Sequence, residues 1–223
     1  MKRYFNQYLG IGIGCIGVFI LLLILLFFAD CQEIRGNVIG LASFNKLFLV
    51  KRYVDSWDSL SDVILLFGLG FGAGMAVYGL VQLISRRNLL KMDKDILIMG
   101  SSIVILLILW ILFDKGLKIN FRPLPNQQSK EASFPSTHVM LSSYLLLASC
   151  RLILKRNTHT LKHSIIAYGA MTILIVLCAL GRILSCMHWM TDVLGGLCIG
   201  LGVFMIGIGL DKIFTTKKEE GKE

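Results

Sequence analysis

Of the chain's 223 residues, 55% are apolar and 17% charged, and its mean hydropathy of +0.72 is more apolar than a water-soluble domain of this length carries. A formal net charge of +9 would suit a nucleic-acid binder, but the lysines and arginines stand in short runs between long apolar stretches, as in loops flanking membrane spans. That pattern sets nucleic acid aside. Six cysteines, at Cys15, Cys31, Cys150, Cys178, Cys186 and Cys198, form no Cys-x-x-Cys pair, and most read as small hydrophobes within apolar runs. Cys31 and Cys186 would lie near the same membrane face, but nothing in their spacing demands a disulfide.

A hydrocarbon core about 30 Å thick takes roughly 20 apolar residues to cross as a helix. Six segments meet or approach that length: 9–29, 63–84, 96–113, 139–154, 165–180 and 189–210. The fourth and fifth are short and must borrow a turn from their polar flanks. The expectation is an all-α polytopic membrane protein, a six-transmembrane-helix bundle forming one domain over residues 1–223. The first run follows Met1-Lys2-Arg3, yet it is too long for a signal-peptide core and no small-x-small cleavage site follows, so it reads as a retained span. Asp30 before Cys31 argues against a lipoprotein site.

Alternate loops carry 14 and nine basic residues, and the positive-inside rule puts the richer side, with both termini, in the cytoplasm. The segments around Lys115–Ser136 and Arg182–His188 then face outward. The outer segment 30–61 has Val38, Leu41, Phe44 and Phe48 at helix-like spacing and Trp57 at headgroup depth, which suggests an interfacial amphipathic piece. A packed loop with no substrate role fits it equally well. Gly10/Gly14, Gly70/Gly74 and Gly196/Gly200 have the small-x-x-x-small spacing that lets helices approach closely.

Ionisable groups at membrane depth cost several kcal/mol unless paired or hydrated, and three clusters of them sit at outer span ends. "KGLKINFRP" holds Lys115 and Arg122. "EASFPSTHVM" holds Ser136, Thr137 and His138, with Pro135 placed for the first turn of a helix. "GRILSCMHWMTD" holds Arg182, His188 and Asp192. His188 and Asp192 are four apart, hence on one helical face, where the carboxylate can accept the Nδ1 proton and leave Nε2 free as nucleophile or base. Such a pair serves as readily as a structural hydrogen bond, and lone interfacial cations often snorkel to headgroups. Three cations, two histidines and the free N–H groups of a helix start, with no equal set of acids nearby, instead compose an anion cage suited to phosphate.

These motifs, Lys115-x6-Arg122-Pro123, Pro135-Ser136-Thr137-His138 and Arg182-x5-His188-x3-Asp192, resemble the three-part signature of the type 2 phosphatidic acid phosphatase superfamily, from about Lys115 to the end of the sixth span. Two positions depart from it: Thr137 stands where the family usually has glycine, and Gly181 where a serine usually precedes the arginine. The resemblance implies His188 as nucleophile forming a phosphohistidine, Asp192 orienting it, and His138 as acid then base. It implies Lys115, Arg122, Ser136, Thr137 and Arg182 as phosphate ligands, with no metal and no cofactor. The implied substrate is a membrane lipid phosphate or diphosphate, foremost undecaprenyl diphosphate, with phosphatidylglycerophosphate and phosphatidic acid as alternatives. The implied setting is a bacterial plasma membrane with the site on the extracytoplasmic side. A lipid phosphotransferase would use the same residues, whereas a transporter or scaffold leaves their spacing unexplained.

Overall fold

The computed structural model describes residues 2–34, 36–50, 52–123, 131–157 and 160–220, with backbone alone for 2–6 and 216–220. Of the basic residues that orient the chain by loop counting, Arg35, Lys51, Lys130 and Lys222 lie outside the described residues. Among the described residues, six helices are long and apolar enough to cross a membrane. They are α1 (Lys2–Phe28), α3 (Asp55–Arg86), α4 (Lys94–Ile111), α5 (Thr137–Arg156), α6 (Leu161–Leu184) and α7 (Met190–Glu220). The all-α six-span bundle expected from the apolar runs is the fold observed, and each helix extends past its apolar run into the polar flanks. An even number of spans returns both termini to one end.

α5 is the centre of the bundle. The span it forms is 72% buried, against 17% for that of α1. Its buried positions interleave small residues, Ser142, Ser143, Ala148 and Ser149, with larger apolar ones such as Met140, Leu145 and Leu146, and the small ones let neighbours pack closely. α7 lies against α1, α4 and α5, and α3 against α5 and α6. Lipid meets the outward leucines, isoleucines and valines of α1, α3, α4 and α6, where no water drives packing.

The glycine pairs divide. A Cβ at Gly196 would stand 2.6 Å from the Ser136 carbonyl oxygen, and one at Gly200 2.6 Å from that of Met140, so α5 and α7 touch almost backbone to backbone. Gly10, Gly14, Gly70 and Gly74 meet nothing within 4 Å and serve no contact in this chain. The close approach of α1 to α7 uses Gly12 and Gly202 instead.

The outer segment also departs from expectation. It folds as a two-stranded hairpin, β1 (Gln32–Ile34) with β2 (Asn37–Ile39), then the short α2 (Ala42–Leu47). Leu41, at φ 49°, interrupts the spacing that looked helical across Val38 to Phe48. Trp57 belongs to the first turn of α3. At the opposite end of the bundle, Asp211 of α7 takes Arg151 at 2.7 Å and Lys155 at 2.8 Å from α5, and Asp95 of α4 takes Arg156 at 3.0 Å.

Gly200→Val drives a branched side chain into α5 and should destabilise the bundle by about 1–3 kcal/mol. Gly14→Val should stay within roughly 0.5 kcal/mol. Thermal unfolding in detergent distinguishes the two.

Candidate active site

Between α4 and α5 the chain doubles back on itself. α4 runs into a π-helical turn, Leu112–Leu117, and leaves it through Lys118 at φ 49°. Residues 119–122 then lie antiparallel to 131–134, through Phe134 N–H to the Ile119 carbonyl at 3.1 Å, Ser133 N–H to Asn120 at 3.2 Å and Arg122 N–H to Glu131 at 3.2 Å. This short ladder brings the first motif beside the second. It is tied to the third by Trp189, whose indole Nε1–H donates to the Phe121 carbonyl at 2.7 Å. The Ser136 N–H donates to the Asp192 carbonyl at 2.9 Å, joining the starts of α5 and α7 directly.

His188 lies in the turn between α6 and α7, its backbone N–H on the Arg182 carbonyl at 3.1 Å. Its ring is buried, and Nδ1 stands 3.5 Å from Asp192 Oδ2, long for a hydrogen bond. The hydroxyl of Ser133 bridges the two: it lies 3.2 Å from Nδ1 and makes a short bond to Asp192 Oδ2, which also accepts the Trp189 N–H at 2.9 Å. A hydroxyl has one proton to donate, and the carboxylate takes it, so Nδ1 must supply the other. With Asp192 ionised, Nδ1 is the protonated nitrogen and Nε2 keeps its lone pair. Burial, then the charges of Arg182 and Arg122, hold the His188 pKa well below the ordinary histidine value, which leaves the ring neutral at neutral pH. A neutral imidazole with a free Nε2 is a competent nucleophile.

His138, in the first turn of α5, has Nε2 2.8 Å from Asp62 Oδ1 of α3. Arg182, 1% exposed at the end of α6, is held through Nη1 by Asp58 and by the Ser61 hydroxyl at 3.2 Å, with Asp62 at 3.7 Å. Arg122 has Nη2 3.2 Å from Glu131, and Lys115 has Nζ 2.7 Å from Asp114. The cations are thus not short of acids, as chain reading had it: α3 delivers two from more than a hundred residues upstream of Arg182. The Nε of Arg122, the Nε of Arg182 and the Oγ of Ser136 are buried with no hydrogen-bond partner among the described residues. Three buried polar groups left open in one region are what a site for an added oxyanion requires.

A cleft of about 610 Å³ opens beside them, lined by Arg122, His138 and His188, with Lys115, Lys118 and Thr137 also on its wall. Leu65, Leu107, Trp110 and Leu141 form an apolar flank between α3, α4 and α5. Lys115 is mostly exposed, so it stands apart from the buried group. Pro135 is not in the helix: Ser136 is the N-cap, its backbone extended, and Thr137 is the first helical residue. Thr137 is not among the positive-φ positions, so no glycine is needed there. Gly181 has its own reason. A Cβ on it would lie 2.8 Å from the Trp57 carbonyl oxygen and 3.2 Å from Ser61 Cβ, so its absence lets α3 approach α6. The Ser61 hydroxyl donates to the Asp58 carbonyl at 2.7 Å and, across that contact, accepts from Arg182.

Sequence reading missed Ser133, the α3 acids and Asn45. Asn45 of α2 is buried, donates to Thr191 Oγ1 and the Gly40 carbonyl at 3.0 Å each, and accepts the Thr191 N–H at 3.1 Å. The outer segment therefore buttresses the start of α7. Only Ser133, five residues before His138, stood close enough to a motif to be noticed; the others are remote in the chain. Cys31 and Cys186 are not joined in a disulfide, and the Cys186 thiol donates to the Val50 carbonyl at 3.1 Å.

Ser133→Ala should lower kcat roughly tenfold, the worth of about one hydrogen bond, with little change in KM. Gly181→Ala should cost about 1–3 kcal/mol of stability by prising α3 from α6, read from thermal unfolding beside activity.

Residues 112–211 match the model of the PAP2 superfamily. Phosphatidylglycerophosphatase B of Bacillus subtilis (strain 168) is 31% identical over 93 residues, which are 42% of this chain and 45% of the relative. The alignment thus spans less than half the length of that curated relative. The fold resembles the crystal structure of a transmembrane PAP2-type phosphatidylglycerolphosphate phosphatase from Bacillus subtilis, with a TM-score of 0.58 and 22% identity over 89% of this chain and 96% of that one. The cluster of histidines, arginines and Asp192 thus lies within the segment, residues 112–211, that matches the PAP2 superfamily model, at one end of a six-helix bundle.

Proposed function

We propose that the protein is a lipid phosphatase that hydrolyses a membrane phosphate ester through a phosphohistidine, without a metal. The observation that carries this reading is the Ser133-bridged His188–Asp192 pair. It leaves a neutral, buried Nε2 on a ring that feels the charges of Arg182 and Arg122, whose Nε–H groups have no partner among the described residues.

In the first step Nε2 of His188 attacks phosphorus and the bond to the lipid oxygen breaks. Asp192, through Ser133 and directly, stabilises the positive charge that develops on the ring. His138 gives its proton to the departing oxygen. It then takes one from the water that attacks the phosphohistidine, releasing phosphate and restoring His188. Arg122 and Arg182 neutralise the equatorial oxygens, with Ser136 and the first N–H groups of α5 as further donors. Lys115, at the exposed rim, acts on the more distant part of the headgroup.

The apolar flank formed by Leu65, Leu107, Trp110 and Leu141 suits a substrate whose tail stays in the bilayer. Among lipid phosphates the name of the bacterial relative favours phosphatidylglycerophosphate. Undecaprenyl diphosphate is the second reading: both carry a second phosphate, for which Lys115 and Lys118 on the cleft wall supply charge. The loop charges favour cytoplasmic termini and an outward-facing site in a bacterial plasma membrane.

Purified protein should release phosphate from one or more of a panel of lipid phosphates and diphosphates. That activity should persist in EDTA and be blocked by vanadate, a mimic of five-coordinate phosphorus. His188→Ala should lower kcat by at least about 10³-fold, since it removes the covalent route; a variant with wild-type turnover would overturn the assignment. Transfer of label to a lipid acceptor, with no free phosphate, would make the protein a phosphotransferase.

A further inference from the structure

Asp58, Ser61 and Asp62 stand at i, i+3 and i+4, so they share one face of α3. At the outer end that face is turned to α5 and α6, and the glycine at 181 is what lets it come so near. Asp58 and Ser61 already bind the Arg182 guanidinium, and Asp62 is 3.7 Å from the same nitrogen. An acid needed only to balance Arg182 would have no reason to reach α5. Asp62 does reach it, at 2.8 Å from His138 Nε2, although more than half of its own side chain is exposed and free to turn elsewhere. Asp58 and Asp62 from α3, Arg182 from α6 and His188 from the turn act on His138, and Lys115, Lys118, Arg122 and Glu131 line the same cleft.

We infer that Asp62 is the positioning residue for His138, the counterpart on α3 of what Asp192 is to His188. Its carboxylate holds the Nε2–H, sets the plane of the ring and leaves Nδ1 as the nitrogen that exchanges protons. As the bond from phosphorus to the lipid oxygen breaks, the Nδ1 proton passes to that oxygen and the imidazolium becomes neutral. In the second half of the reaction Nδ1 takes a proton from water while Nε2–H stays on Asp62. The inference rests on the phosphatase reading given above.

Leaving-group dependence tests it. An alkyl phosphate departs only with a proton, whereas p-nitrophenyl phosphate departs without one, and kcat/KM reports the step in which the leaving group is lost. Asp62→Asn keeps the shape and removes the charge. It should lower kcat/KM for the alkyl phosphate at least about tenfold and change that for p-nitrophenyl phosphate by less than about threefold, with Asp62→Glu restoring much of the difference. His138→Ala should show the same pattern, more strongly. Equal losses on both substrates, or none on either, would overturn the role of Asp62. Failure of the wild-type protein to release phosphate from any substrate would instead sink the phosphatase reading itself.

Discussion

The end of this bundle that carries His138 and His188 depends on how closely α5 and α7 approach. Gly196 and Gly200 present bare backbone to the Ser136 and Met140 carbonyls, and the Ser136 N–H reaches the Asp192 carbonyl at 2.9 Å. In lipid, where apolar side chains gain nothing by leaving water, such contact through small residues is what holds helices together. Its consequence is chemical. Both helices begin at the contact, so the residues at their starts, Thr137 and His138 on one and Asp192 on the other, are brought to one place with His188 just before α7. A bulkier α7 would part the two histidines before it unfolded anything.

Charge is the second constraint. Arg182, Asp192 and His188 are nearly or fully buried, and none is tolerable alone at that depth. The structure offsets the cost differently for each. Arg182 is met by Asp58 and Ser61, Asp192 by Ser133 and the Trp189 N–H, and His188 by staying neutral. What remains open among the described residues includes the Nε groups of both arginines and the Ser136 hydroxyl. A scaffold that satisfied every buried donor would have nothing left for a substrate.

The outer segment shows why periodicity misleads over short distances. Val38, Leu41, Phe44 and Phe48 look like one face of a helix, yet the run spans a strand, a left-handed residue at Leu41 and a single short helix. Three or four apolar residues do not outweigh the hairpin's hydrogen bonds. What the segment contributes comes from a residue of no motif, Asn45, whose side chain exchanges hydrogen bonds with Thr191 across 146 positions. Ser133 and Asp62 escaped notice for a like reason: a serine or an aspartate near a span end is common, and only its neighbours in space give it work.

By itself the sequence determined the spans and the three motifs; it drew His188 and Asp192 onto one helical face, whereas His188 lies in the turn before α7 and meets Asp192 through Ser133. Hydrocarbon length and helical spacing are local rules, and each acts within about 20 residues. The tertiary structure alone decided which glycines pack, why Gly181 and Thr137 are acceptable where they stand, and which acids meet Arg182 and His138. Those are questions of contact between helices far apart in the chain. Their answer depends on how α3, α5, α6 and α7 pack at one end of the bundle, and no spacing within a single segment records it.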